Sequence, residues 1–397
     1  MQPATKTPLS DSLRRLVGQP ASAIDTPALV VDLDAMQRNL GRMAEFARKH
    51  DVRWRPHAKM HKSSALARLQ MQAGAVGVCV QKTGEAEAMV AGGVNNVYIS
   101  NEVVTPSKLT RVAELAHQLA ADRGQLAIAV DSVEGVRRLA QAMDDRRHGG
   151  VPAVIDVFVE IDVGQGRCGV QPGRAAVNLA LEIRRYPALR FAGLQAYHGK
   201  AQHLRSPQER REAIARVVQD VVFTRKLLEA EHLPPGLVTG AGTGSMLWET
   251  ASGVFGELQA GSFLFMDADY AANERDPAQP QFEHALFVKT QVMSSGVRHA
   301  VCDAGHKSHA IDSGLPKVLD LPPTGELVYE NGGDEHGILR PTGSNQRVPK
   351  LDEVVWLIPG HVDPTVNLHD FLVGVGGGLE KGRVEKIIRV DARGALS

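Results

Sequence analysis

Lys59, in the run Arg53-Trp-Arg-Pro-His-Ala-Lys-Met-His-Lys-Ser63, has the setting of a reactive amine: a short β-rich stretch delivers it among polar and basic side chains. A lysine so placed can condense with an aldehyde cofactor such as pyridoxal 5'-phosphate, although most lysines are solvated surface groups. On an extended chain His57, Lys59 and His61 share one side. Lys62, the nearest competing amine, lies past the strand and is expected on the surface of the next helix. His57 reads equally well as a packing or hydrogen-bonding residue.

Further runs carry candidate chemistry. Glu160-Ile-Asp-Val-Gly-Gln-Gly-Arg-Cys-Gly169 surrounds Arg167 with glycines, which let backbone approach a ligand closely. A guanidinium there can donate to a pyridine nitrogen while keeping its own proton; an anion clamp or an interstrand ion pair would use it as well. Gln195-Ala-Tyr-His-Gly199, with Gln202 and His203 beyond, supplies Tyr197 and His203 as proton-handling groups and His198 as a loop support. Neutral imidazole is a base near neutral pH. Thr239-Gly-Ala-Gly-Thr-Gly-Ser245 is a glycine-rich turn with hydroxyls, whose backbone N–H groups suit a phosphate. In Gly360-His-Val-Asp-Pro-Thr-Val-Asn-Leu-His-Asp370, His361 and Asp363 would point the same way on an extended chain. Imidazole with carboxylate suits Mn2+ or Mg2+, and a structural His/Asp pair is the plainer reading. Asp334-Glu-His-Gly337 and His306-Lys-Ser-His309 stay open between turn and site.

What must position these runs is an alternation of short β-rich and longer amphipathic stretches between residues 50 and 265. The strand candidates are Val52–His57, Val76–Val80, Asn96–Ser100, Leu126–Val130, Ile155–Ile161, Phe191–Tyr197, Gly236–Gly240 and Glu257–Ser262. Helical patterns such as Ser107–Ala121, Ser132–Met143, Arg174–Tyr186 and Pro207–Glu231 separate them. Repeated βα units predict a closed (β/α)8 TIM-type barrel, with reactive groups at the C-terminal strand ends and phosphate at the loops after strands seven and eight. The rival, an open doubly wound sheet, lacks a GxGxxG opening a helix after the first strand.

Composition shifts after Tyr270 to a polar, proline-bearing connector, Asn273–Gln281. Beyond it Ala285–Met293, His299–Cys302, Glu326–Tyr329, Val354–Ile358 and Val384–Val390 read as short strands of an appended, mostly antiparallel β domain. Ala28–Leu33 is an extra strand that could join either domain. The expected division is an N-terminal segment, 1–26, packing with the β domain, then a barrel over 27–270 and the β domain over 271–397.

Lys+Arg and Asp+Glu both number 45, giving a formal net charge of zero and no basic footprint for nucleic acid or membrane. Cys79, Cys168 and Cys302 contain no CxxC pair and cannot all be bridged, a usage that fits a reducing cytoplasm. Met1–Gln19 has no apolar signal-type core, and no apolar run approaches the roughly 20 residues that span a bilayer. A soluble, cytoplasmic enzyme is the expectation.

Taken together the runs resemble the D-threonine aldolase group of fold-type III pyridoxal phosphate enzymes, related to alanine racemase and D-serine dehydratase. The resemblance spans Asp25 to Gly394. It rests on RPHAKMHKS (Arg55–Ser63), GVCVQK (Gly77–Lys82), ISNEVV (Ile99–Val104), VEIDVGQGRCGV (Val159–Val170) and GLQAYHG (Gly193–Gly199). Further on come GTGS (Gly242–Ser245), ELQAGSFLFMDADY (Glu257–Tyr270), DEHG (Asp334–Gly337) and PGHVDPTVNLHD (Pro359–Asp370).

The resemblance implies an alanine racemase-like barrel with a β domain, working as a homodimer. It implies that Lys59 holds the cofactor, that Arg167 faces its ring nitrogen, and that His57, Gln81, Tyr197, Thr239, Gly242, Thr243, Gly261 and Ser262 surround it. His361 and Asp363 would bind the metal, Mn2+ or Mg2+, and His203 would deprotonate the substrate hydroxyl beside Tyr197. The dehydratase relatives tend to carry His-x-Cys where this chain has His361-Val-Asp363; aspartate favours a harder cation than zinc. The implied activity is cleavage of D-configured 3-hydroxy amino acids to glycine and an aldehyde. The nearest rivals are a 3-hydroxyaspartate aldolase and a dehydratase of the same fold acting on D-3-hydroxyaspartate or D-serine. A racemase would not need the metal pair, and a cofactor carrier would lack the β domain. The stretch His306–Pro316 resembles relatives acting on 3-hydroxyaspartate, whose second carboxylate would need a cation; Arg53, His306, Lys307 and His309 are the candidates.

Overall fold

The computed structural model describes residues 8–146, 152–319, 326–342 and 347–397. Strand β1 (Ala28–Asp32) runs into a long helix, Leu33–Lys49, whose start is fixed by the Asp32 carboxylate accepting from the Asp34 and Ala35 N–H groups at 3.0 Å. Eight parallel strands follow: β2 (Arg53–Trp54), β3 (Val78–Val80), β4 (Asn96–Ile99), β5 (Gln125–Val130), β6 (Ile155–Glu160), β7 (Leu189–Ala196), β8 (Leu237–Gly240) and β9 (Glu257–Leu258). Their order runs from β2 through β9, β8, β7, β6, β5 and β4 to β3. A bridge between His57 and Cys79, with the Val76 N–H donating to Trp54 O at 3.0 Å, closes β2 onto β3. This is the expected (β/α)8 barrel.

Strands β3, β4 and β5 are largely apolar on both faces, as a barrel under helices requires. Cys79, Tyr98, Ala127, Ala129 and Phe158 fill the interior, while Val78, Val80, Val97, Ile99, Leu126 and Ile128 pack outward against the helices. The longest helix, Pro207–Ala230, begins at a Ser206/Glu209 capping box with proline in its first turn.

The second sheet holds β10 (Leu286–Ser295), β11 (Ala300–Cys302), β12 (Lys317–Leu319), β13 (Leu327–Asn331), β14 (Gly337–Pro341), β15 (Val354–Ile358), β16 (Phe371–Gly376) and β17 (Arg383–Arg389). β1 sits inside it, antiparallel to β10 and parallel to β16, so the strand expected in the barrel span 27–270 pairs in the other sheet. Leu29, Val30 and Val31 are all buried, and such a continuous apolar run carries no period to say which sheet it joins. β12, β14 and β16 escape the sequence reading. In β16 the glycines conceal a central strand: a Cβ on Gly374 would come within 3.0 Å of the Leu33 side chain. Residues 18–24 lie along the same sheet, with Gly18 N–H donating to Val384 O at 2.7 Å and Lys289 Nζ to Ile24 O at 2.5 Å. Residues 1–7 of the N-terminal segment are outside the described residues.

No described helix is long and apolar enough to cross a membrane. Cys79 and Cys302 are buried, Cys168 is half-buried, and all three are free thiols.

Candidate active site

At the C-terminal ends of the barrel strands lies a cavity of about 390 Å³, within the size range of small-molecule and cofactor pockets. His57, Lys59, Gln81, Arg167, Tyr197, Gly242, Thr243, Gly261, Ser262 and Asp363 line it together. The barrel loops supply all of these except Asp363, which reaches in from the segment between β15 and β16.

Lys59 is delivered by a turn rather than a strand. After Trp54 the chain leaves the ladder, and His57 caps a short 3-10 turn, Ala58–Met60. The expected sharing of one side by His57, Lys59 and His61 therefore fails. His61 turns away into the core, 3.1 Å from Gln70 Oε1, and burial drops its pKa to about 4. Lys62, expected on a helix surface, is buried at a positive φ, donates to Asn367 Oδ1 at 2.8 Å and lies 3.4 Å from Glu85.

The Lys59 ammonium is ion-paired with Asp363. Burial alone would lower the Lys59 pKa, but the Asp363 charge wins and raises it. Burial would likewise raise Asp363, yet Lys59 and His361 hold it down to about 2. His57 is pushed well below the usual histidine range by burial and then by Lys59, so it is a neutral imidazole; its Nε2 meets Gln81 at 2.9 Å and Ser100 at 3.2 Å.

The glycine-rich turn after β8 and the turn after β9 form the opposite end of the cavity. Thr243 Oγ1 accepts from the Phe263 N–H at 3.0 Å and ties the two turns together. Among the described residues the N–H groups of Thr243, Gly261 and Ser262 find no acceptor. A Cβ on Gly261 would sit 2.8 Å from the His57 carbonyl; only glycine lets this turn pack so closely on the turn that carries Lys59. An amine, a guanidinium and unclaimed N–H donors around one cavity fit pyridoxal phosphate.

His361 and Asp363 meet by a route that extended geometry does not describe. His361 precedes a short helix, Val362–Val366, and Asp363 lies in its first turn. His361 Nε2 is 3.8 Å from Asp363 Oδ1, a buried oxygen with no hydrogen-bond partner among the described residues. Asp267 accepts from His361 Nδ1 at 2.8 Å and from the Val362 and Tyr270 N–H groups. Nδ1 therefore carries the proton and Nε2 is left facing Asp363 Oδ1, the arrangement in which histidine ligands are oriented. Burial alone would lower the His361 pKa; the Asp267 hydrogen bond and the Asp363 charge raise it. An orphaned carboxylate oxygen beside an oriented imidazole fits a hard divalent cation.

Other expectations fall differently. Thr239 does not line the cavity: it faces the barrel interior, fully buried, donating to Glu257 Oε1 at 3.1 Å and accepting from Gln259 at 2.9 Å. His203 stands outside the wall, half-exposed, with Nδ1 2.6 Å from Asp269 Oδ2. The Tyr270 ring stands between it and His361, 5.9 Å from the His203 ring and 6.4 Å from the His361 ring. Tyr197 lines the cavity, its pKa raised by burial against the lowering charges of Lys59 and Arg167.

None of the cations expected for a second substrate carboxylate lines the cavity. Arg53 pairs with Glu257 at the start of β2, the end of the strand away from the site. His306 and Lys307 pair with Asp334 and Glu335, and buried His309 contacts the Tyr329 hydroxyl at 2.9 Å. The sequence reading missed Tyr270, Asp267, Asn101 and Lys82. The first two stand in the ELQAGSFLFMDADY run, where an acid and a tyrosine three apart were the available signal.

Comparison with known proteins gives a consistent result. Residues 31–269 match the family described as alanine racemase, N-terminal domain, and residues 285–375 a putative serine dehydratase domain. The chain is 43% identical to a D-threonine aldolase of Arthrobacter sp. over 378 residues, 95% of each protein. It is 41% identical to a 3-hydroxy-D-aspartate aldolase of Paracoccus denitrificans (strain Pd 1222) over 385 residues, 96% of this chain and 95% of the relative. The crystal structure of D-threonine aldolase from Filomicrobium marinum superimposes with a TM-score of 0.89 at 47% identity, covering 95% of this chain and 98% of that one.

Proposed function

The chain belongs to the D-threonine aldolase group of alanine racemase-fold carbon–carbon lyases, and from that premise we propose that it cleaves D-configured 3-hydroxy amino acids to glycine and an aldehyde. The observation that carries this reading is the meeting of Lys59 with the His361/Asp363 edge in one cavity. Lys59 would hold pyridoxal phosphate, with its phosphate at Gly242, Thr243, Gly261 and Ser262, and the cofactor supplies an electron sink for the carbanion left by bond cleavage. A divalent cation at His361 and Asp363 would supply the charge that acidifies a 3-hydroxyl.

The chain's own groups do the rest. Asp267 fixes the His361 ring, and Arg167 presents a permanently charged donor to the cofactor ring. His203, with Nδ1 held by Asp269, keeps Nε2 to accept the hydroxyl proton at the rim. Tyr197 and Tyr270 close the wall on either side.

The dicarboxylate reading has an observation of its own in its favour. Lys82 puts an exposed ammonium on the cavity wall, where a second substrate carboxylate could pair with it. By family we also infer a cytoplasmic homodimer, which sedimentation would test.

NMR product analysis decides the activity. Protein loaded with pyridoxal phosphate and Mn2+ receives D-threonine, D-phenylserine or D-3-hydroxyaspartate, each with and without chelator. Glycine plus aldehyde, lost on chelation, is the expected result, and the rates rank the substrates. Ammonia plus a 2-oxo acid would instead assign elimination.

A further inference from the structure

Across the cavity from Asp363, carboxyl groups gather behind Arg167 without a matching set of donors. Glu102, Asp131 and Cys168, from the loops after β4, β5 and β6, bring ligand-type atoms within 4.8 Å of one another. Asp131 accepts from the Gly169 N–H at 3.2 Å. Both Glu102 oxygens are shut off from solvent and meet no N–H or O–H among the described residues. What they face is the Glu160 carboxyl and the Cys168 thiol.

Glu160 stands at the end of β6 and is 4% exposed. Its Oε2 accepts from Gln195 Nε2 at 2.6 Å. Gln195 cannot turn round, because its oxygen accepts from the Tyr98 hydroxyl at 2.5 Å and faces Gln259 Nε2 at 3.4 Å. Glu160 Oε2 is therefore an acceptor, and the group's remaining freedom lies toward Glu102. Two facing, buried carboxyls with no donor between them cannot both ionise, whereas one proton satisfies both.

We propose that Glu102 and Glu160 share one proton at neutral pH, and that this pair, acting through Arg167, is a positioning group for the cofactor's ring nitrogen. The proposal rests on the reading above in taking pyridoxal phosphate as the occupant. Burial and then Glu102 push Glu160 up to about 8, against the lowering charge of Arg167. Of the other groups facing the pair, Cys168 is raised to about 12 by burial and Glu102, and Tyr98 well above its usual value by burial, so both stay neutral; the Asp131 carboxyl, held by the Gly169 N–H, stands against Glu102 and further disfavours a second charge on the pair. With one proton the pair carries a single negative charge against the single positive charge of Arg167. Losing that proton draws the guanidinium toward the pair and away from the ring, so the absorption of the bound cofactor changes at the same midpoint.

The test uses holoenzyme labelled with 13C at the glutamate carboxyl, titrated by NMR and by absorption of the bound cofactor. Wild type is expected to show a glutamate carboxyl titrating near pH 8 and an absorption change with the same midpoint. Glu160→Gln should abolish both. Glu102→Gln, which removes the facing charge and is the second variant should the first fold poorly, should move both midpoints down together. Glu249, buried elsewhere, titrates near 7 in all three proteins, so the proposal is overturned if no further glutamate titration near pH 8 is lost in Glu160→Gln, or if the absorption profile is the same in wild type and both variants. A protein that cleaves substrate but gives those results overturns the pair alone. A protein that takes up no pyridoxal phosphate overturns the aldolase reading and the pair with it.

Discussion

On one side of the cavity Asp363 is buried beside Lys59 and His361 and held down to about 2; on the other Glu160 is buried against Glu102 and held up to about 8. Burial raises both, so the difference lies in the neighbours: Asp363, reaching in from the antiparallel-sheet domain, meets the barrel's Lys59 and its own His361, whereas Glu160 meets a second carboxyl from the barrel. Environments that push like groups apart separate their chemical roles. Asp363 stays an anion with an open oxygen for a cation, and Glu160 stays a proton holder. The barrel end is also the more rigidly tied, with Gln195, Tyr98 and Gln259 fixing one another, whereas the Asp363 end is held through Asp267 and one ion pair.

The sharpest way to break the contrast is Asp363→Asn, which takes the anion from the cationic side. Cleavage should fall by roughly 10³-fold or more, the several kcal/mol a Lewis-acid cation supplies. The cofactor's absorption should persist, because Lys59 remains. Stopped-flow product formation and a cofactor spectrum check both parts, and retained turnover would end the metal assignment.

His203→Ala probes the same side from outside the wall and should cost roughly 10²-fold, the lower range for a general base, because its dyad with Asp269 is half-exposed. The loss should appear in kcat while Mn2+ affinity holds. An unchanged kcat would remove His203 from the proton path and leave Tyr270, which stands between it and His361, as the group to test.

The asymmetry also explains what the sequence could reveal. Lys59, Arg167, Tyr197 and the glycine turn after β8 were legible because a barrel places reactive groups at strand ends, and the βα alternation predicts that frame. His361 and Asp363 were legible as a pair only through residue type; their shared direction comes from a helix start, not from strand alternation. Thr239 was misplaced by the same rule in reverse, since a residue within β8 alternates into the barrel interior. The second sheet was less legible: β1 lies far from its partners in sequence, and Gly374 and Gly376 mask β16. The Glu102–Glu160 meeting joins loops after different strands, and no local spacing encodes it.

Asp267→Asn sharpens the proposed metal side without touching His361 or Asp363. It replaces the acceptor that fixes His361 Nδ1–H and also loosens the Val362 and Tyr270 N–H contacts. The expected loss is roughly tenfold to a hundredfold in Mn2+ affinity, the usual cost of removing a group that orients a histidine ligand. Isothermal titration with Mn2+ reads it directly. An unaltered affinity would mean that Asp363 alone sets metal binding.

Glu249 supplies the control between the two extremes, and its change should have the smallest effect on turnover. It is 1% exposed, accepts from Ser245 Oγ at 2.7 Å, and its other oxygen has no hydrogen-bond partner among the described residues. Burial raises it to about 7, with only hydrogen bonds opposing; it has neither the cations of Asp363 nor the facing carboxyl of Glu160. Its unfolded value is 4.5, so below that pH both states hold the proton and it contributes nothing. Between 4.5 and 7 the folded state binds the extra proton, and stability falls as pH rises. Above 7 the whole penalty, on the order of 3 kcal/mol, remains. Glu249→Gln removes this pH dependence. Denaturant melts of variant and wild type should therefore diverge by about that amount between pH 4.5 and 8, in favour of the variant at high pH. A difference that ignores pH would mean that this carboxyl finds a compensating partner on ionising, and that burial alone does not set the scale against which Asp363 and Glu160 depart.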